Sequence, residues 1–206
     1  IPLDGVCPLA PSFDTCGFFA RDAGVFARVG RTLLCDNASA LLPARLVLAQ
    51  DALEIAGETV AHALRPAFDK VAPLVAKAAP VTVGDEPLAR WMDYFRFLQG
   101  AEAWACHGEW ITREKPAVGP GVKERFDWAS TVAPEDVTRA KSRREEVARR
   151  MADLLEGNAV LALPSAPGIA LLRNSAPKAL DDLRARALPL LCIAGLARLP
   201  QVSLPL

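Results

Sequence analysis

The chain has 206 residues, of which 51% are hydrophobic, a length and composition that can bury a sizeable core and that exclude intrinsic disorder. Lys plus Arg and Asp plus Glu each number 24, so the formal charge is zero and no bulk field gathers nucleic acid or anionic lipid. Five cysteines, Cys7, Cys16, Cys35, Cys106 and Cys192, are an odd number without CxxC spacing, which predicts reduced thiols in a cytoplasmic protein rather than a disulfide framework or a zinc site.

No apolar run approaches the ~20 residues of a membrane span, and the start carries no basic-then-apolar leader. The reading is a soluble intracellular protein with no membrane or nucleic-acid partner. Ile1 stands where an initiator Met is absent, and the strand-like pattern at residues 202 to 206 has no partner after it, which predicts a piece of something longer.

Residues 1 to 20 are rich in Pro, Gly and Cys without a helical period, and predict an extended loop with turns at Asp4-Gly5 and around Cys16-Gly17. Val25, Val29, Leu33 and Leu34 then predict an amphipathic helix over 21 to 35, ended by Asn37 and Ser39. The run from Arg45 to Ala49 has strand length. Ile55, Val60, Leu64, Phe68, Val71 and Val75 predict a helix onward to about Ala79, kinked or split by Pro66 and Pro73. Val81-Thr82-Val83, β-branched and bounded by Pro80 and Gly84, reads as a strand.

A long helix over 87 to 112 follows from the apolar face of Leu88, Trp91, Met92, Phe95, Leu98, Ala101, Ala105 and Trp110. Pro116, Gly119, Pro120 and Gly121 break it, and Val122, Phe126 and Ala129 predict a shorter helix. Pro134-Glu135-Asp136 starts another, with Val137, Ala140, Val147, Met151 and Leu154 as its buried stripe and Gly157-Asn158 as its stop. The continuous apolar run from Ala159 to Leu163 predicts a central strand covered on both faces. Residues 178 to 197 read as a helix broken near Pro189, and Gln201 to Leu204 as a last strand. Helices alternating with short strands predict an α/β fold with a mostly parallel sheet, and no repeat or linker divides the chain.

Complete catalytic sets are missing from this pattern. His62 and His107 both fall on predicted helices, where a lone His is usually structural, although Trp104, Cys106 and Trp110 surround His107 and admit a pocket-lining role. No Ser sits in a GxSxG elbow, no HExxH, CxxC or DxDxDG offers metal ligands, and no GxGxxG or GxxxxGK[ST] cradles phosphate. Lys141, Arg143, Arg144, Arg149 and Arg150 interleave with Glu145 and Glu146 and read as a solvated helix face.

From Gly5 to Arg21 the chain reads G-x-x-P-L-A-x-S-x-D-T-x-G-x-x-A-R, followed by Asp22, a string with too many fixed positions to arise from loop composition. It resembles the block that follows the catalytic signature in the amidase signature family. Three further stretches agree: Glu102 through Ile111 with Gly119-Pro120-Gly121, Leu163-Pro164-Ser165-Ala166-Pro167-Gly168, and Ile193-Ala194-Gly195-Leu196 onward to Pro205. The likeness covers nearly the whole chain and is nearest to the branch that holds plant indole-acetamide hydrolases and amidase-like receptors of the chloroplast envelope.

This resemblance implies one partial α/β/α domain over residues 1 to 206, with a twisted mixed sheet between helices, and a parent protein that hydrolyses carboxamides. It implies a Ser nucleophile, a relaying Ser in a cis peptide and a Lys base, all upstream of this segment. Ser12, Ser39 and Ser165 and the lysines here stand in the wrong motif contexts, so no catalytic residue is carried over. The fragment alone is expected to be inactive, because it lacks the nucleophile and oxyanion donors.

By the same resemblance no cofactor is needed, the partner is a small-molecule amide, and a homodimer is compatible with the sequence. Substrate-binding candidates are Asp14 and Thr15, in the matched loop the family places near the nucleophile, with His107 and Trp104 as an outer wall. Asp14 and Thr15 equally suit closing a turn, and for Trp104 core packing is the preferred reading over the wall. The alternatives are a non-catalytic binding or scaffold module of the same fold and an unrelated helical interaction protein with no sheet.

Overall fold

Short strands and longer helices alternate in a computed structural model that describes residues 4–35, 42–119 and 121–205. Their order is α1 (Ala23–Leu34), β1 (Arg45–Ala49), α2 (Gln50–Ala56), α3 (Glu58–Val71), a 3-10 turn (Ala72–Leu74), β2 (Lys77–Val81), α4 (Leu88–Glu114), α5 (Val122–Ala129), α6 (Pro134–Leu154), β3 (Ala159–Ala162) and α7 (Pro177–Ala197). Asn37, Ser39 and Pro120, invoked above as breakers, lie outside the described residues, as do Ile1 and Leu206.

The three described strands form one parallel sheet in the order β2-β1-β3. Parallel pairing needs crossovers, which α2 and α3 supply between β1 and β2, and α4 to α6 between β2 and β3. Neighbouring side chains on a strand face opposite ways, so the burial of both Leu46 and Val47 means that both faces of β1 are covered. β1, not the 159 to 163 run, is therefore the central strand. β3 is an edge whose Val160 is 44% exposed, and its apolar run has no cover on that side among the described residues.

Several sequence expectations shift by local chemistry. The expected strand 81–83 lies earlier, at Lys77–Val81, and includes Pro80, which an edge strand accommodates because its missing N–H costs no ladder bond on the open side. Thr82 to Gly84 instead form a loop in which the Val83 and Gly84 N–H groups donate to Asp51 at 3.1 and 2.8 Å. The helical stretch expected from Ile55 to Ala79 starts earlier and is split at Gly57 (φ +90), a conformation glycine adopts without penalty. Pro66 is carried inside α3, and Pro73 sits in the 3-10 turn.

Helix α7 runs unbroken through Pro189, because the half from Pro189 onward is buried and packs on α4 and α6. Tertiary contact there outweighs the lost hydrogen bond. Residues 201–205 are unpaired and exposed rather than a strand. The core lies among α4, α6 and α7, built on Trp91, Leu98, Val147, Met151, Leu190, Ile193 and Leu196, with the small Ala49, Ala52 and Ala56 letting α2 approach it.

Candidate active-site wall

Residues 8–15 are shaped by Asp14. Its carboxylate accepts the N–H of Leu9 at 2.9 Å and of Ala10 at 3.2 Å, while the N–H groups of Phe13 and Asp14 return to the Ala10 carbonyl at 2.8 and 2.9 Å. The side chain thus closes a turn around the buried Ala10. Thr15 follows it on the exposed side of the loop.

The turn is fastened to α4 at two points. His107, on that helix, donates from Nε2 to the Pro8 carbonyl at 2.7 Å and sets its ring edge-on to Phe126. One turn and a half earlier, the Glu102 carboxylate accepts Ser12 N–H at 2.8 Å and Ser12 Oγ–H at 2.6 Å. Phe13 adds an edge-to-face contact with Phe95, centroids 4.7 Å apart. Asp14 and His107 are brought to the same loop, then, and both spend polar atoms on ordering it. Trp104 is half-buried and folds over Gly108, whereas His62 is exposed on α3 and remote from this constellation in the fold.

Arg144, read from sequence as part of a solvated face, is instead only 4% exposed. Its Nε donates to the Leu196 carbonyl at 3.2 Å, Nη1 to Ser12 Oγ at 2.6 Å, and Nη2 to the carbonyls of Ser12 at 2.9 Å and Gly195 at 3.1 Å. The guanidinium also lies 4.1 Å from the Phe13 ring centroid. Burial, helped by the charge of Arg198, lowers the Arg144 pKa, with Glu102 and Glu145 opposing. Arg143 and Arg150 depart from the solvated reading too. Arg143 pairs with Asp85, Glu86 and Glu146, and Arg150 donates to the Thr82 carbonyl at 2.9 Å.

These contacts join the sequence blocks singled out above. Ser12 belongs to the first, Glu102 and His107 to the second, Gly195 to the last, and Ser203 Oγ donates to Ser165 Oγ at 3.3 Å, tying the last to the loop after β3. Arg150 contacts the loop just past β2, Ser165 stands just past the end of β3, and Arg144 lies six residues before Arg150, about 9 Å along the same helix at 1.5 Å per residue. The Arg150 and Ser165 contacts thus mark the carboxyl ends of two parallel strands, the end at which α/β sheets bind ligands.

A groove of about 640 Å³ opens at the ends of β1 and β2, lined by Asp51, Glu54, Thr82, Asp85, Glu86 and Leu88 among others, with no lining residue from the matched blocks. Its carboxylates are largely committed: Asp51 to backbone N–H groups, Asp85 to Trp91 Nε1 at 3.2 Å and to Arg143, and Glu86 to Arg143 and Tyr94. Among the described residues no group of three His, Cys, Asp or Glu side chains could hold a metal ion, and no helix is long and apolar enough to cross a membrane.

The sequence singled out Asp14, Thr15 and His107 as substrate-binding candidates; the structure shows Asp14 and His107 ordering one loop with Thr15 exposed on it, and adds Ser12, Glu102 and Arg144, which the sequence did not single out. A signal for Arg144 existed: it fills the gap at 144 in the stripe 137, 140, 147, 151, 154, where 3.6-residue periodicity requires an inward side chain.

No family model matches the chain. It is 30% identical to Amidase 1 of Arabidopsis thaliana over 232 aligned residues, covering 98% of this chain and 55% of that protein. It is 25% identical to the chloroplastic Outer envelope protein 64 of the same plant, covering 98% of this chain and 39% of that protein. A crystal structure of an amidase superposes with a TM-score of 0.76 at 19% identity, over 92% of this chain and 45% of the other. The chain thus spans about half the length of Amidase 1 and of the solved amidase.

Proposed function

We propose, since this chain belongs to the amidase-signature-type family, that it is the portion of a cytoplasmic amide hydrolase that walls the substrate cleft. The observation that carries this reading is that side-chain contacts link four separate sequence blocks: Ser12 to Glu102 and, through Arg144, to Gly195, Pro8 to His107, and Ser165 to Ser203. In this reading Thr15 meets the small-molecule amide, and Asp14 and His107 hold the loop that presents it.

The reacting groups come from the other half of the fold: a Ser nucleophile, a bridging Ser and a Lys base. A neutral Lys takes the nucleophile's proton through the bridging hydroxyl, the Ser oxygen adds to the amide carbon, and backbone N–H groups hold the oxyanion. Protonation of the leaving nitrogen releases ammonia or an amine, and water then cleaves the acyl-enzyme. No metal or organic cofactor enters, and the 206 residues alone do not turn over.

The two sheet edges support a half-fold. β2 carries Lys77 and Pro80, devices that blunt an edge. β3 has neither, its Val160 is exposed, and Ile169 and Leu172 nearby in the chain are 92% and 83% exposed. That edge is the one fit to receive further strands.

Arylacetamide hydrolysis by the complete gene product, abolished by a serine-directed inhibitor, is the expected result. Absence of turnover on any carboxamide tried, with the protein folded, would remove the enzyme reading. A second reading, a non-catalytic binding module, is favoured by the likeness to Outer envelope protein 64 and predicts that outcome.

A further inference from the structure

We infer that Arg144 is a positioning residue that, acting through Ser12, locks residues 8–15, and Thr15 with them, against the end of α7. The inference rests on the amidase reading only for its kinetic consequence. Four contacts of the guanidinium go to two segments that are distant in sequence, Ser12 on one side and Gly195 and Leu196 on the other. Few side chains other than arginine present enough N–H donors in a fixed plane to do this.

Ser12 completes the lock. Its hydroxyl donates to Glu102 at 2.6 Å and accepts from Arg144 at 2.6 Å, so one oxygen stands between a carboxylate and a guanidinium and orients both. Core stability does not explain the arginine. It occupies an apolar stripe position between Ala140 and Val147, where a well-packed apolar side chain is commonly as stabilising as a buried charge. What the charge adds is direction, namely two segments held at one separation, with the exposed Thr15 in the segment that Ser12 anchors.

The test pairs Arg144→Met with Ser12→Ala and Ser12→Thr. In the complete protein, Arg144→Met and Ser12→Ala are expected to lower hydrogen-exchange protection of residues 9–15 about tenfold or more while α4 and α7 keep theirs. In the complete gene product, KM for an arylacetamide rises about tenfold or more with kcat changed by less than about threefold, and Ser12→Thr restores it. Unchanged protection of residues 9–15 overturns the inference, as does a loss of kcat and KM that merely follows global unfolding. If the complete protein hydrolyses no amide but residues 9–15 still lose protection, the lock stands and the amidase reading falls.

Discussion

His107 Nε2 lies 2.7 Å from the carbonyl oxygen of Pro8, a residue 99 positions earlier in the chain. A proline carbonyl can only accept, so the ring nitrogen facing it must carry the proton. The bond ties an otherwise exposed loop to the longest helix. Replacing the ring with a methyl leaves Pro8 to water, which costs about 1 kcal/mol. His107→Ala is therefore expected to shift the urea midpoint slightly and to speed proteolysis within residues 4–15. His107→Gln, whose amide can still donate, should recover part of both. Equal proteolysis of all three proteins would show that the bond does not hold the loop.

Two glycines of α4 make room for tryptophans. A Cβ at Gly100 would stand 2.6 Å from Trp128 Cζ3, and one at Gly108 would stand 2.6 Å from Trp104 Cε2. Alanine gains about 1 kcal/mol of helix propensity at either site, and overpacking takes back about 1–3 kcal/mol. The balance differs because the neighbours differ. Both rings are half-buried, but Trp128 is stacked on Phe97, covered by Arg96 and joins α5 to α4, whereas Trp104 belongs to the same helix as Gly108 and can swing away without parting two elements. Gly100→Ala should lower stability by about 1 kcal/mol and shift tryptophan emission. Gly108→Ala should be close to neutral. Paired urea titrations decide it, and the reverse order would contradict the packing argument.

Most helices and the α/β class were legible because periodicity and caps report on local structure. The helix expected over 21 to 35 is α1, which starts two residues later because Asp22 caps it, accepting Val25 N–H at 2.8 Å. Three of the misses were decided by distant contacts. Nothing local tells that Pro189 is buried against α4 and α6, that Pro80 sits on an edge, or that the apolar run at β3 ends a sheet rather than crossing its middle. At the candidate wall, Asp14 was visible through its motif, but Arg144 was judged by its charged neighbours when its stripe position pointed inward. Charge runs describe a helix's average face, and Arg144 departs from that average.

Asp85 and Arg143 make stability depend on acid. Desolvation alone would raise the Asp85 pKa, but hydrogen bonds from Arg143 and Trp91 and the charge of Arg143 outweigh it and hold it below the ordinary 3.8. A carboxyl whose folded pKa is depressed contributes stability above its unfolded pKa and loses it as pH falls through the folded value. Wild type should accordingly exceed Asp85→Asn in urea midpoint at pH 7 and at pH 5, and the gap should close below pH 3.8. The gap is small, because the Asp85 side chain is 39% exposed and Arg143 keeps Glu86 and Glu146. A gap that widened on acidification would show the sign to be wrong.

The thiols divide by burial. Cys7, Cys16, Cys35 and Cys106 are exposed, while Cys192 is buried in α7 with its Sγ 3.4 Å from the Pro189 carbonyl. Burial pushes the Cys192 thiol up to about 12, only slightly opposed by its backbone hydrogen bond. The thiolate is the reactive form, so a disulfide reagent at pH 8 should modify the four exposed cysteines quickly and the fifth only after unfolding. Alkali supplies an independent check. A raised folded pKa keeps its full stabilising effect below the unfolded value of 9.0 and loses it as pH climbs toward about 12. Wild type should lose stability faster than Cys192→Ala between those limits. A fifth fast equivalent in the native protein, or parallel alkaline curves for the two proteins, would place Cys192 in contact with water and displace Pro189 to Ala197 from the core position that lets α7 pass unbroken through its proline.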